Sequence, residues 1–200
     1  MDIRWVVFDY GEVISHRTDA LPDMAAALGV PVADFEPAYW AERDAYDRGC
    51  PHQEYWRAVG ARLGLAVDEA TAERLTELDN RGWLGVDPDA VRLVEDLRAA
   101  GSRLALLSNA PVPFARAAER QPWTASFEHL VFSGDLATAK PDPEIWDELV
   151  RRLDTRPEAC LFLDDRQVNV DAAQAAGLHA HRWSDAASAR PRLRELGLLP

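Results

Sequence analysis

Short apolar runs alternate along the chain with stretches in which apolar residues recur every three or four positions. The β-branched and aromatic run at 3–8 predicts a strand buried on both faces. Similar runs predict four more strands, at 103–107, 129–132, 159–163 and 179–183. Helical spacing predicts helices between and after them, at 88–100, 113–120, 143–153, 168–176 and 186–196.

Residues with special backbone preferences mark the ends of several of these helices. Asp87 and Pro88 predict an N-cap followed by a proline in the first helical turn, and Gly101 and Gly177 predict C-terminal stops. Strands that alternate with helices favour right-handed βαβ units. The fold class expected is therefore α/β, a Rossmann-like parallel sheet with helices on both faces.

Residues 16–85 interrupt the alternation, because this stretch has helical patterns only. They lie at 19–28, 34–47, 52–63 and 68–79. A helical block inserted after the first strand predicts a small cap subdomain over the sheet edge. The expected organisation is an α/β core of residues 1–15 and 86–200, with a helical cap at 16–85.

The cap is rich in aromatic residues at helical spacing, which predicts the core of a small helical bundle. One or two of them are expected near a cleft. Two cap arginines, Arg43 and Arg48, could reach a second anionic group of a ligand, but a solvated helix face is the expectation. The aromatic residues are Phe35, Tyr39, Trp40, Tyr46, Tyr55 and Trp56.

Composition removes several functional classes. The 22 basic residues stand against 34 acidic ones, for a net charge of −12, which argues against a nucleic-acid binder that needs clustered positive charge. No apolar run approaches the roughly 20 residues of a membrane-spanning helix, and the N-terminus does not resemble a signal peptide. Cys50 and Cys160 lack metal-site spacing. We therefore expect a cytoplasmic protein that binds neither nucleic acid nor membrane.

Polar residues that could carry chemistry follow the predicted strands. In a parallel α/β sheet, ligands bind at the carboxyl ends of the strands. Three carboxylates beside one ammonium suggest a divalent cation, and ligands that are all oxygen favour Mg²⁺. Lys140 is the single lysine among the basic residues, and a compact ammonium suits a point contact to phosphate. The residues after the strands are Asp9, Ser108, Asn109, Lys140, Asp164 and Asp165.

Four motifs in this order resemble those of the haloacid dehalogenase-like hydrolase superfamily. They read Phe-Asp-Tyr-Gly-Glu-Val-Ile at 8–14, Leu-Ser-Asn at 107–109, Lys-Pro-Asp-Pro at 140–143 and Phe-Leu-Asp-Asp at 162–165. The segment Asn-Val-Asp-Ala-Ala at 169–173 is also typical of the helix after the last motif. The resemblance covers essentially the whole chain, and it implies a Rossmann-like hydrolase with a cap.

The resemblance also implies a role for each motif residue. Asp9 would be the nucleophile and a Mg²⁺ ligand. The carbonyl of Gly11 and the carboxylate of Asp165 would complete the protein ligands, with Asp164 as a ligand or its partner. Lys140 would neutralise the nucleophile and the developing charge. Ser108 and Asn109 would bind the phosphoryl oxygens. The reaction implied is covalent catalysis through an aspartyl-phosphate.

One position departs from the family's phosphatases, which carry a second Asp two residues after the nucleophile to protonate the leaving group. Here that residue is Gly11, so the general acid is missing, a loss commonly worth about 10²–10⁴ in rate. Glu12 or His16 could substitute for it. Bacterial sugar-1-phosphate phosphatases carry a similar Asp-x-Gly-x-Val sequence, and the chain most resembles that branch.

Three functions remain open from the sequence. The first is a Mg²⁺-dependent phosphatase, acting on small phosphomonoesters with sugar phosphates favoured, as a monomer or homodimer. The second is a 2-haloacid dehalogenase, whose branch has Ser-Ser-Asn where this chain has Asp164 and Asp165. The third is a catalytically weak binding module, suggested by Gly11. The retained nucleophile, lysine and acid pair favour the first.

Overall fold

The computed structural model describes residues 2–200, which form a five-stranded parallel sheet in the order β3-β2-β1-β4-β5. The central strand β1 pairs with β2 on one side and β4 on the other. Every pairing is parallel, so the carboxyl ends of the strands lie along one edge. The strands are β1 (Trp5–Phe8), β2 (Arg103–Ser108), β3 (His129–Phe132), β4 (Cys160–Asp164) and β5 (His179–Arg182).

Helices surround the sheet, and a further group lies between β1 and β2 in the chain. Three short 3₁₀ turns, at Pro122–Ser126, Ser133–Asp135 and Pro157–Ala159, were not predicted. The helices are α1 (Leu21–Leu28), α2 (Val32–Ala41), α3 (Arg43–Asp47), α4 (His52–Arg62), α5 (Glu69–Trp83), α6 (Pro88–Ala99), α7 (Val112–Ala118), α8 (Pro143–Arg152), α9 (Gln167–Ala175) and α10 (Ala186–Glu195).

The sheet is covered on both faces, because successive strand residues point to opposite sides. Val6 and Phe8 of β1 belong to an apolar cluster with α6, α7 and α10, whereas Trp5 and Val7 belong to a second cluster with α8 and α9. All four of these side chains are buried. The predicted α/β class with helices on both faces is confirmed.

Helices α1–α5 have an apolar cluster of their own. Five of the six cap aromatics that the sequence places in a bundle are buried there; Trp40 is not. The chain segments that lead into and out of this group of helices meet at an isolated bridge between Ser15 and Val86. The His16 N–H donates to the Gly85 carbonyl beside it. The division into core and cap at these positions stays a prediction.

The ends of most helices lie within a few residues of the expected positions. Asp87 accepts a hydrogen bond from the Asp89 N–H at 2.8 Å, as an N-cap does. Gly101 and Gly177 both have the left-handed φ expected of C-terminal stops, +92° and +89°. These local predictions are confirmed.

Two cap helices differ from the sequence pattern. The helix expected at 34–47 is two helices, α2 and α3, divided at Glu42. Helix α5 runs four residues beyond the expected end, to Trp83. A Cβ atom on Gly82 would lie 2.5 Å from the Ala20 Cβ and 2.4 Å from the Thr18 hydroxyl. Glycine is therefore required there by close packing, and the helix continues through it.

Candidate active site

The carboxyl ends of β1, β2 and β4 open into a cavity of about 580 Å³ between the core and the cap helices. Six of the seven residues with roles implied by the sequence line this cavity, and the seventh, Asp164, lies directly behind it. The six are Asp9, Gly11, Ser108, Asn109, Lys140 and Asp165. Residues distant in the chain thus meet at one place, although their individual roles stay predictions.

Lys140 is buried between two carboxylates. Its side-chain nitrogen lies 2.6 Å from Asp9 Oδ1 and 2.7 Å from Asp164 Oδ2, and the residue is only 3% exposed. Burial alone would lower the pKa of Lys140, but the two carboxylates outweigh it and raise the pKa, so the ammonium stays charged. This lysine is therefore a fixed positive charge at the site and not a solvated loop residue.

The Asp9 carboxylate is held in place through one of its two oxygens, Oδ1. Asp9 Oδ1 accepts the backbone N–H of Tyr10 at 2.7 Å in addition to the Lys140 contact. Burial raises the pKa of Asp9 above its usual range, and the Lys140 ammonium opposes that rise. Two donors on Oδ1 hold the carboxylate in one orientation, which gives its other oxygen, Oδ2, a defined direction.

Asp164 is wholly buried and its oxygens are occupied. It accepts from the Arg166 N–H at 2.8 Å and from the Asn169 side-chain amide at 3.0 Å on both oxygens, besides Lys140 Nζ. Of the two roles that the sequence leaves open for Asp164, these contacts favour the partner, because they use the carboxylate to fix Lys140. Asn169 is a supporting residue that the sequence signalled only through its motif.

Asp165 is the carboxylate free to bind a ligand. One oxygen from each of Asp9, Asp164 and Asp165 lies within 4.8 Å of the others. Burial, and then the negative charges of Asp164 and Glu12, raise the pKa of Asp165. Three carboxylates with one ammonium leave two negative charges uncompensated, and the donor set is oxygen only. These residues therefore fit a hard divalent cation.

The residues after β2 differ in what they can offer a substrate. The Asn109 side chain is paired with the backbone of Lys140, donating to its carbonyl and accepting from its N–H, both at 2.8 Å. Asn109 thereby holds Lys140 in place. Ser108 is buried and lines the cavity, so its hydroxyl is the better placed of the two for a phosphoryl oxygen.

The two residues proposed to replace the missing acid lie in different places. Glu12 lines the cavity but is exposed, with a left-handed φ of +56°. His16 is exposed and is not among the residues that line the cavity. A Cβ on Gly11 would meet only the Trp83 ring, at 3.8 Å, and Gly11 is absent from the positive-φ glycines of residues 2–200. The backbone there would accept an aspartate.

The cap supplies the opposite wall of the cavity, including residues that the sequence did not assign. Trp83 and Asp47 were not singled out, although Asp47 follows Arg43 by one helical turn and so could have been read as its partner. Arg17 lies over the Trp40 ring at 5.9 Å. The cap residues lining the cavity are Arg17, Trp40, Arg43, Asp44, Asp47 and Trp83.

The expectation that Arg43 lies on a solvated helix face is wrong, since the residue is 8% exposed. Its Nε donates to Asp47 at 2.8 Å and its Nη1 to Asp79 at 3.0 Å. The same group donates to the Tyr39 hydroxyl. A guanidinium can be buried when its donors are satisfied in this way. Arg48 is half-buried, and it joins the cap to the core through Asp142.

Known relatives include both phosphatases and a dehalogenase. A sesquiterpene phosphatase of Aspergillus oryzae is 29% identical over 153 residues, covering 74% of this chain and 71% of that protein. An (S)-2-haloacid dehalogenase of a Pseudomonas strain is 28% identical over 192 residues, covering 90% and 84%. Sequence similarity alone thus does not separate the two reactions.

Among solved structures, a haloacid dehalogenase family enzyme of Bacteroides thetaiotaomicron, in complex with magnesium and inorganic phosphate, matches with a TM-score of 0.73. It is 18% identical, with 91% of this chain and 94% of that chain covered, and it shares the fold. The family model for haloacid dehalogenase-like hydrolases matches residues 3–177. From the four motifs, the fold and this match, the chain belongs to the haloacid dehalogenase-like hydrolases.

Proposed function

We propose that this hydrolase is a Mg²⁺-dependent phosphatase, which cleaves small phosphomonoesters through an aspartyl-phosphate on Asp9. The observation that carries the proposal is the placement of Lys140 between Asp9 and Asp164, with Asp165 adjoining them and still free to bind a cation. The phosphatase relatives support the same reaction class.

In the first step, an oxygen of Asp9 attacks phosphorus and the bond to the leaving oxygen breaks. The contacts of Tyr10 and Lys140 with Asp9 Oδ1 hold the carboxylate still, which lowers the entropic part of the barrier. The Lys140 ammonium offsets the negative charge that would otherwise oppose the approach of a phosphate dianion. The Ser108 hydroxyl donates to a phosphoryl oxygen.

In the second step, water hydrolyses the aspartyl-phosphate and restores Asp9. The same donors then hold the transferred phosphoryl group, because it stays attached to Asp9 between the two steps. Asn109 and Asp164 keep Lys140 in position. Asn109 bonds to the Lys140 backbone, and Asp164 accepts from its ammonium. Phosphoryl transfer depends mainly on such placement and charge compensation.

Asp9, Asp165 and the carbonyl of Gly11 would hold the Mg²⁺ ion, with Asp164 beside them. When bound, the ion supplies positive charge that screens the carboxylates from the phosphoryl oxygens. The carboxylate cluster, with its two uncompensated charges, supports a divalent cation at this position.

Sugar phosphates are the favoured substrates, and the cap wall of the cavity supports this choice. The Trp40 and Trp83 rings offer flat apolar surfaces, and Arg17 lies over one of them. Aromatic rings beside polar groups suit a molecule with one apolar and one hydroxylated face. A cavity of about 580 Å³ fits a small phosphorylated metabolite.

A 2-haloacid dehalogenase is the second candidate, and the Pseudomonas relative favours it. In that reaction, the same carboxylate of Asp9 would displace halide from carbon. The acid pair at 164 and 165 argues for phosphate instead, because displacement of a halide creates no need for a cation site. A catalytically weak module is disfavoured by the intact arrangement around Lys140.

A single assay separates the candidates. The purified protein is incubated with 4-nitrophenyl phosphate, with a panel of hexose phosphates and with 2-chloropropionate, each with Mg²⁺ and with EDTA. We expect phosphate release from the esters with Mg²⁺ only, and no chloride. Phosphate release that survives EDTA would overturn the metal assignment, and chloride release without ester cleavage would establish the dehalogenase.

A further inference from the structure

The space beside Gly11, where related phosphatases carry their acid, is bounded by the Trp83 ring, 3.8 Å from the position of a Cβ. Trp83 itself cannot supply a proton, because its indole N–H donates to the Tyr39 hydroxyl at 3.0 Å. Its carbonyl accepts the Tyr10 hydroxyl at 2.6 Å, so that phenol is also occupied. A proton donor for the leaving group must come from elsewhere in the cavity wall.

Five carboxylates line the cavity, and two of them, Asp9 and Asp165, belong to the nucleophile and cation site. Glu12 and Asp44 are both exposed, and Asp44 is paired with Arg48 at 3.0 Å. A carboxyl group holds a proton more readily where burial disfavours its charged form. Asp47 is the remaining one, and its side chain is only 15% exposed.

The charges around Asp47 favour a bound proton. The Arg43 guanidinium is shared between Asp47 on α3 and the buried Asp79 on α5, so two carboxylates with little exposure face one cation and one negative charge is uncompensated. Asp44 is a further negative neighbour, and the phenols of Tyr46 and Tyr55 also lie near Asp47. Burial raises the pKa of Asp47 to about 6, and Arg43 opposes the rise.

One oxygen of Asp47 is available for this proton. Arg43 Nε donates to Asp47 Oδ1, while within residues 2–200 no hydrogen bond reaches Asp47 Oδ2. An oxygen without a donor, in a side chain that lines the cavity, can hold a proton and present it to a ligand. The Arg43 contact fixes the direction of the carboxyl group.

The backbone of Asp47 is anchored to the phosphate-binding side of the cavity. The Ser133 hydroxyl donates to the Asp47 carbonyl and accepts the Ala110 N–H at 2.9 Å. Ala110 follows directly after Ser108 and Asn109. Two residues beyond Asp47, a Cβ on Gly49 would lie 2.6 Å from the Gly134 carbonyl, so cap and core are in close contact here. Asp47 thus stands beside the loop that holds the phosphoryl group.

We propose that Asp47 is the catalytic residue that replaces the acid missing at position 11. As the bond between phosphorus and the ester oxygen breaks, that oxygen takes the proton from the Asp47 carboxyl and leaves as an alcohol. The resulting carboxylate then removes a proton from the water that attacks the aspartyl-phosphate, and so regains its acid form. This inference rests on the proposed phosphatase function.

The wild-type enzyme gives a first test that does not depend on any variant folding. Aryl phosphates with leaving groups of graded pKa are assayed at pH 5.5 and at pH 8. We expect kcat/KM to depend weakly on the leaving group at the lower pH, where Asp47 is protonated, and steeply at the higher pH. Equal steepness at both pH values would overturn the proposal.

A second test compares Asp47→Asn with the matched variant Asp79→Asn. This control removes the other carboxylate that contacts Arg43, at a residue that does not line the cavity. In Asp47→Asn, kcat/KM for an alkyl phosphate should fall by about 10²-fold or more, whereas kcat/KM for 4-nitrophenyl phosphate, which does not include the later hydrolysis of the aspartyl-phosphate, should change less than about threefold. In Asp79→Asn, Arg43 is paired with Asp47 alone, which lowers the pKa of Asp47. The pH above which kcat/KM for the alkyl phosphate falls should therefore be lower by about one unit.

The outcomes separate this inference from the proposed function. Equal losses of kcat/KM on both esters in Asp47→Asn, or no loss on either, would overturn the role of Asp47 and leave the phosphatase function unaffected. Wild-type enzyme that cleaves aryl but no alkyl phosphates would do the same. Wild-type enzyme that releases phosphate from no ester would overturn both.

Discussion

The core and the cap each place one buried cation between two carboxylates, on opposite walls of the same cavity. In the core, the Lys140 ammonium lies between Asp9 and Asp164. In the cap, the Arg43 guanidinium lies between Asp47 and Asp79. The two arrangements look alike, yet they differ in the charge that remains.

The remaining charge decides what each arrangement needs. The core has a third carboxylate, Asp165, so two negative charges are left, a balance that a divalent cation restores. The cap has no third buried carboxylate on its cation, and the next neighbour of Arg43 is the neutral Tyr39 hydroxyl. One negative charge is left there, a balance that a single proton restores. The charge left uncompensated around a buried cation thus indicates which species is missing.

The two cations also differ in kind, as their partners require. Lys140 makes point contacts with two carboxylate oxygens, at 2.6 and 2.7 Å, as a compact ammonium can. Arg43 reaches three groups on α2, α3 and α5 with its planar fork, and so ties three cap helices together. The lysine is thus a compact charge between two core carboxylates, whereas the arginine joins three helices of the cap.

The largest effect is expected from the core. Asp9→Asn should lower the hydrolysis of 4-nitrophenyl phosphate by about 10⁴-fold or more, because the variant lacks the nucleophile. Since burial already disfavours the ionised form of Asp9, the fold should be retained, as measured by circular dichroism. Residual activity within tenfold of wild type would show that Asp9 is not the nucleophile.

Lys140→Arg should lower kcat by about 10²-fold, because a guanidinium cannot occupy the space of an ammonium held at 2.6 and 2.7 Å. The matched control is Arg103→Lys, an exposed cation paired with Glu128 far from the cavity, which should keep kcat within about twofold. Steady-state kinetics on both variants tests the claim. Wild-type kinetics in Lys140→Arg would mean that the type of cation is unimportant here.

The cap carboxylate should make stability depend on pH. The pKa of Asp47 is about 6 in the folded state, above the ordinary 3.8, so the folded protein binds this proton more tightly than the unfolded chain. As the pH rises from 4 to 7, the free energy of unfolding of the wild type should therefore fall by about 2 kcal/mol relative to that of Asp47→Asn. Urea unfolding of both proteins measures this, and a difference independent of pH would show that Asp47 does not titrate in that window.

The smallest effect is expected when the acid is moved from cap to core. Gly11→Asp should fold, because the backbone there has no left-handed φ and a Cβ makes only an ordinary contact. Added to Asp47→Asn, it should restore alkyl phosphate hydrolysis by about tenfold, a fraction of what a general acid supplies. No recovery, in a variant shown to be folded, would mean that position 11 does not face the leaving group.

Much of the core was predictable from the chain alone. The run at 129–132 and the stops at Gly101 and Gly177 were correct to the residue, because local preference and burial agree there. The core site residues were identified because they directly follow strands, and parallel strands bring such positions to one edge. The cap was less predictable, since helical spacing defines a bundle but not which side of each helix faces the cavity.

The strand–helix order, the four motifs and the excess of carboxylates over the single lysine can be read from the chain alone. These are local or countable properties, each written in neighbouring residues. Other features arise only when the helices pack. Arg43 is buried, Trp83 lies beside Gly11, and Asp47 shares a cation with Asp79 and a cavity with Asp9. Burial and shared counter-charges depend on which surfaces pack together, and packing between separate helices leaves no fixed spacing in the chain.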